Sequence, residues 1–168
     1  MKQFVVLVDQ NNRKLGKMEK LEAHQKGLLH RAFSILIFNS KGKVLIQKRA
    51  SDKYHSGGLW SNTVCSHPKP SERSLEVAHR RLKEEMGFDC PLQKKYCFIY
   101  KKEFDNGLTE NEHDCVYVGK FDGVPTPNLA EVTGWKWVSM PDLKKDIAKN
   151  PEKYTFWFKK IIHEMYWI

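Results

Sequence analysis

Cys65 and His67 stand two residues apart in the stretch WSNTVCSHP, placing a thiol and an imidazole in one short segment. A thiol there can carry a proton, and an imidazole can hold a metal ion or move protons. Glu110 and Glu112 alternate in ENE, so a strand at that point would aim both carboxylates at one face. His24 and His30 flank Leu28-Leu29 just before an apolar run. If they converge, His24, His30, His67, Glu110 and Glu112 make a site of three nitrogens and two carboxylates, a donor set for a divalent cation. Lys20, Arg49, Lys53 and Arg81 form a second set that could clamp a diphosphate, arginine through bidentate contacts and lysine as a point charge. Each group has a plainer reading: an exposed acidic turn for ENE, isolated structural histidines, and a solvated ion-paired helix face for Arg80, Arg81, Glu84 and Glu85. Convergence in space decides between them.

The elements that must position these residues can be read from periodicity. Leu75, Ala78, Leu82 and Met86 fall at helical spacing, and Gly87 supplies a stop, which predicts a helix over 74–86. Arg81 and Glu85, four apart, then share a face. Strands are expected at 3–8 and 14–18, then at 31–39, where RAFSILIFN reads as buried, and at 44–49 after a turn at 40–43. A loop or short helix fills 20–29, a loop 50–58 and a short strand 59–64. Tyr96, Phe98 and Tyr100 should share one face of a strand over 93–104, which Asn106-Gly107 turns into a return strand at 112–120. A strand at 133–138 and helices at 141–149 and 156–166 complete the chain. The class is α+β with a mixed sheet, and the absence of a repeat or composition break favours one domain over 1–168.

Bulk properties narrow the partners. The net charge of +9 is spread as lysine pairs such as Lys94-Lys95 and Lys144-Lys145, without a dense basic arm. That pattern suits a small polyanion on a basic surface better than nucleic acid, which would also leave the histidines without a purpose. No apolar run reaches membrane-spanning length, and the N-terminal apolar patch is too short for a signal peptide. A cytoplasmic protein without a membrane partner is expected. Its four cysteines lack a C-x-x-C pair and are expected to be reduced, with Cys90, Cys97 and Cys115 acting as small apolar residues.

The helix and the segment before it resemble a known pattern. Ser66, Glu72, Arg80, Arg81, Leu82, Glu84, Glu85, Gly87 and Phe88 fit the Nudix box G-x5-E-x7-R-E-U-x-E-E-x-G-U, U being aliphatic. Ser66 replaces its first glycine, and Arg81 replaces a glutamate that Nudix hydrolases use for metal. WSNTVCSHP, RRLKEEMG, GLLHRAFSILIFN, QKRA and ENEHD resemble the type I isopentenyl diphosphate isomerases over most of the chain. Ser61-Asn62 stands where Thr-Asn is common in that family.

The resemblance implies a Nudix-type α/β/α sandwich with a mixed central sheet and antiparallel hairpins. It also implies interconversion of isopentenyl and dimethylallyl diphosphate through a carbocation. His24, His30, His67, Glu110 and Glu112 match its divalent metal site (Zn²⁺, Mn²⁺ or Mg²⁺). Cys65 and Glu112 match its catalytic acid/base pair, and Tyr100 a tyrosine that assists the glutamate. Glu85 matches a ligand of a second ion, Mg²⁺ on the diphosphate. Lys20, Arg49, Lys53 and Arg81 match diphosphate contacts, and Trp157 a tryptophan facing the allylic skeleton. A monomer or weak homodimer is expected. The competing reading is a Nudix hydrolase of a nucleoside diphosphate derivative; it expects an intact R-E-x-x-E-E helix, which Arg81 breaks.

Overall fold

The computed structural model describes residues 2–53 and 55–165. Nine strands join one mixed sheet. They are β1 (Phe4–Val8), β2 (Lys14–Glu19), β3 (His30–Phe38), β4 (Val44–Arg49), β5 (Trp60–Ser61), β6 (Val64–Ser66), β7 (Leu92–Glu103), β8 (Thr109–Lys120) and β9 (Val132–Val138). β3 is the hub: it pairs antiparallel with β1, β4 and β6, and parallel with β8. The remaining pairings, β1–β2, β4–β5, β4–β9 and β7–β8, are antiparallel.

Four helices cover this sheet: α1 (Lys20–Lys26), α2 (Ser74–Met86), α3 (Met140–Lys149) and α4 (Phe156–Glu164). β3 shows why its sequence is continuously apolar. Phe33, Ile35 and Ile37 pack with Val77, Ala78, Leu82 and Met86 of α2. Leu36 and Phe38 pack on the other side with Leu143, Phe158, Ile161 and Ile162 of α3 and α4. A strand covered on both faces needs no polar alternation. The expected sandwich and mixed sheet are therefore both present.

α1 is the short element that carries His24. The Glu19 side chain caps its first turn by accepting from the Leu21 and Glu22 amides, and Gly27 ends it in the left-handed region (φ 60°). Asn111 Nδ2 donates to the Gly27 carbonyl at 3.0 Å, tying the end of α1 to β8. So the asparagine of ENE holds one histidine's helix in place while its glutamates point elsewhere.

The structure departs from the sequence expectations in three places. The short strand expected at 59–64 is two strands. β5 pairs with β4 and β6 with β3, and Asn62 and Thr63 make the step between them. Asn62 Nδ2 donates to the Ile35 and Val64 carbonyls, while Thr63 Oγ1 donates to the Leu45 carbonyl and accepts from the Ile37 amide. These side chains replace ladder bonds that the crossing strand gives up. The last helix ends at Glu164, and Tyr166, expected within it, lies outside the described residues. The cysteines are not all reduced: Cys97 and Cys115 form a disulfide, because the β7–β8 register sets them directly opposite, with Cα atoms 4.0 Å apart.

α2 ends where the sequence places it, at Gly87 with φ 77°. A Cβ at this position would strike the Thr126 carbonyl oxygen. The left-handed conformation costs a non-glycine residue about 1–2 kcal/mol, before the clash is counted. Gly87→Ala should therefore lower the unfolding free energy by about 2 kcal/mol or more, measured by denaturant titration.

Candidate functional site

β3 and β8 run parallel with His30 in register with Glu112. That pairing brings together residues more than eighty positions apart. His24 arrives from α1, and His67 follows directly on β6, whose Cys65 is paired with Ser34 of β3. Ligand atoms of His24, His30, His67 and Glu112 all lie within 4.8 Å of one another. His67 Nε2 is 2.7 Å from Glu112 Oε1, and His30 Nε2 is 3.5 Å from the same oxygen.

The five expected residues do not form one undivided set. Glu110 belongs to an adjoining group with His24 and His55, in which His55 Nε2 lies 3.1 Å from Glu110 Oε1. His24 is common to both groups. Tyr100 joins them from the other side: its hydroxyl lies 2.7 Å from Glu112 Oε2 and 3.1 Å from Glu110 Oε2, so one proton is shared between two carboxylates.

The donor set fits a divalent cation. His24 Nδ1 is 2.7 Å from the Lys20 carbonyl, and His30 Nδ1 is 2.8 Å from the Leu28 carbonyl. A carbonyl only accepts, so in the neutral rings Nδ1 holds the proton and Nε2 offers a lone pair. His30 Nε2 is buried and makes no hydrogen bond. Burial, helped by the nearby His30, depresses His24 to about 4, and burial depresses His55 and His67 to about 3. The rings of His24, His55 and His67 are therefore neutral at physiological pH, the form that binds metal. Burial and the Glu112 charge push Glu110 well above the usual carboxylate range. Burial also acts on Glu112, but the contact with His67 outweighs it and holds this carboxyl low.

Cys65 lies beside this cluster in a cleft of about 1210 Å³, where lysines and arginines outnumber carboxylates. Burial pushes its thiol up to about 12, against the pull of Arg49, whose Nη1 is 3.4 Å from Sγ. The sulfur is thus protonated, with a cation at hand for the charge it would hold on losing that proton. Arg49 also lies over the Trp157 ring, 5.2 Å from its centroid. Trp157 Nε1 donates to Asn62 Oδ1 at 3.1 Å, which fixes the ring within the cleft lining.

Lys20, Arg49, Lys53 and Arg81 all line this cleft, so the expected cationic cluster converges. Arg81 and Glu85 share a helix face as expected: Arg81 Nη2 is 2.6 Å from Glu85 Oε1. Gln47 Nε2 holds the other Glu85 oxygen at 3.0 Å. Burial pushes Glu85 upward, opposed by Arg81. Arg81 also reaches Glu131 Oε1 at 3.2 Å, and Lys53 Nζ binds the second Glu131 oxygen. Burial lowers the Lys20 ammonium, while Glu112 favours its charge.

Four residues here carry no sequence expectation: His55, Gln47, Asn62 and Glu131. Gln47 and Asn62 lie within quoted motifs, QKRA and WSNTVCSHP, so polarity inside an otherwise buried strand was a usable signal. His55 and Glu131 lie in loops, and nothing in their spacing marks them.

Comparison with known proteins gives the family and the fold. A NUDIX domain matches residues 28–158. The chain is 51% identical over 157 residues to isopentenyl-diphosphate Delta-isomerase 2 of Aromatoleum aromaticum, covering 94% of this chain and 83% of that protein. It is 52% identical over 163 residues to isopentenyl-diphosphate Delta-isomerase 2 of Photorhabdus laumondii, covering 97% and 92%. Among solved structures, a Deinococcus radiodurans protein superposes with a TM-score of 0.81 at 18% identity, covering 98% of this chain and 99% of its own. The MutT protein from Methanosarcina mazei gives 0.64 at 18% identity, over 80% of this chain and 91% of that one. At these identities the structural matches speak for the fold.

Removing a ligand tests the cluster directly. His67→Ala should lower divalent-metal affinity at least about tenfold, read as metal content after dialysis. Full occupancy would take His67 out of the ligand set.

Proposed function

The chain belongs to the NUDIX family and, within it, to the isopentenyl-diphosphate Delta-isomerases, and from that premise we propose how its residues divide the work. The reaction moves a carbon–carbon double bond by one position in a five-carbon diphosphate. One proton is added to the alkene and another is removed two carbons away. Cys65 and Glu112 are the acid/base pair: one donates, the other accepts, and the reverse reaction exchanges the roles. The observation that carries this reading is that both line one cleft, with Glu112 fixed by His67 at 2.7 Å and by Tyr100 at 2.7 Å. Positioned acid–base catalysis contributes roughly 10²–10⁴-fold.

His24, His30, His67 and Glu112, with Glu110 alongside, would hold one divalent cation, either Zn²⁺, Mn²⁺ or Mg²⁺. When bound, the ion lowers the basicity of Glu112 and fixes its orientation. Glu85, buried and lining the cleft, would be a carboxylate ligand for Mg²⁺ bound with the diphosphate. Lys20, Arg49, Lys53 and Arg81 bind the diphosphate itself, an anchor whose binding energy is realised at the distant alkene. Tyr100 keeps a proton between the two glutamates and sets the orientation of Glu112. Trp157 presents an aromatic face to the cationic carbon skeleton, which is worth on the order of 2 kcal/mol when desolvated. Its burial and that of Tyr100 help exclude the water that would quench the cation.

The hydrolase alternative meets an obstacle at Arg81. Where a hydrolase places a metal-binding carboxylate, this chain places a guanidinium that is ion-paired to Glu84, Glu85 and Glu131.

Purified protein with isopentenyl diphosphate and Mg²⁺ should accumulate the acid-labile allylic isomer. No conversion in a metal-loaded sample would overturn the reading. Cys65→Ala should reduce turnover by about 10²-fold or more with metal content unchanged. Near-normal turnover would make Cys65 a packing residue.

A further inference from the structure

The disulfide that departs from the sequence expectation ties β7 to β8, the strand that carries Glu110 and Glu112. Side chains alternate along β8, so Glu110 and Glu112 face the cleft while His113 and Cys115 face the opposite side. Cys97 of β7 stands directly across from Cys115. A ring nitrogen of His113 and the sulfurs of Cys97 and Cys115 all lie within 4.8 Å of one another. We propose that Cys97, Cys115 and His113, once their disulfide is reduced, form a binding site for Zn²⁺ on the face of the sheet opposite the catalytic cleft.

Three observations carry this beyond the presence of two cysteines. First, the donors are two residues at i and i+2 of one strand and a third directly across on its neighbour, so a pleated sheet offers three converging ligands and leaves the fourth tetrahedral position to another group. Second, His113 is only 8% exposed, and its Nδ1 is buried without a hydrogen-bond partner. A buried polar atom left unpaired costs free energy, and a coordinated cation would remove that cost. Third, two thiolates and one imidazole form a soft-to-borderline set that suits Zn²⁺ and rejects Mg²⁺, unlike the oxygen-containing cluster across the sheet. The turn between β1 and β2 lies over the site, with Asn12 Nδ2 4.0 Å from Cys115 Sγ.

Disulfide and metal exclude each other, because a sulfur bonded to sulfur is no thiolate ligand. With a phosphine as reductant, the disulfide takes two electrons from the phosphine and two protons from water, giving two thiols. The phosphine takes the water oxygen and becomes its oxide. Zn²⁺ then binds both sulfurs as thiolates and releases two protons to solvent. The proposal does not depend on the roles assigned to the catalytic residues, since none of its ligands faces the cleft.

Co²⁺ is the probe, because cobalt bound to thiolate gives an intense near-ultraviolet charge-transfer absorption that nitrogen and oxygen ligands do not. The full chain carrying Cys65→Ser and Cys90→Ser is reduced with a phosphine, and reduction is verified by alkylation. Titration with Co²⁺ should produce the absorption with the amplitude of one thiolate-bound cobalt per chain, in addition to any cobalt taken up by the His24, His30, His67 and Glu112 cluster. The absorption should be absent before reduction and lost when Cys115→Ser is added, and His113→Ala should weaken Co²⁺ binding at least about tenfold. In the reduced wild-type chain, Zn²⁺ should slow alkylation of Cys97 and Cys115 relative to Cys90. No absorption after reduction, an absorption that survives Cys115→Ser, or unchanged alkylation of Cys97 and Cys115 would each overturn the site.

Discussion

The parallel ladder between β3 and β8, from His30 opposite Glu112 to Phe38 opposite Lys120, is the constraint on which the site depends. Side chains alternate along a strand, so a slip of one residue would turn Glu110 and Glu112 away from the histidines and bring Asn111 and His113 in their place. The register is held by burial on both sides. Phe33, Ile35 and Ile37 fit under α2, while Leu36 and Phe38 fit under α3 and α4, and no shifted pairing satisfies both faces. Core packing and site geometry are therefore one requirement. The hydrophobic effect that folds the sheet also sets His30 beside Glu112.

Around that register the cleft solves an electrostatic problem. Burying ions is costly unless each is paired. Glu85 is held by Arg81 and Gln47, Glu131 by Arg81 and Lys53, and Glu112 by His67 and Tyr100. His24, His55 and His67 are pushed toward the neutral form because burial opposes their charge. The result is a cleft lined by cations with some carboxylate partners, beside a nitrogen-rich cluster that contains Glu112. A polyanionic substrate meets the first, and a divalent cation suits the second.

Arg81 stands at a helix position where the Nudix box has a glutamate. The Nudix box normally supplies carboxylates to metal at this turn of α2. With arginine there, the same turn neutralises Glu85 and Glu131 and adds positive charge to the cleft lining. The backbone is unaffected, since Gly87 still ends the helix in the left-handed region and the apolar face still packs on β3. The fold is thus shared with proteins of different chemistry, and the difference lies in side chains that leave the packing alone.

What the sequence by itself determined was whatever local periodicity and short motifs encode. The helix over 74–86 and its glycine stop, the buried strand at 31–39, the shared face of Tyr96, Phe98 and Tyr100, and the pairing of Arg81 with Glu85 are all local consequences of spacing. Several candidate site residues could be named because Cys65-x-His67 and Glu110-x-Glu112 are compact signatures. Their meeting, the division of the ligands into two groups around His24, and the places of His55 and Glu131 were decided only by the tertiary structure. So were the crossing at Asn62 and Thr63 and the bond between Cys97 and Cys115. Each depends on which strands become neighbours and in what register. That choice is made by burying two apolar faces at once, a property of the whole sheet that no single stretch of the chain contains.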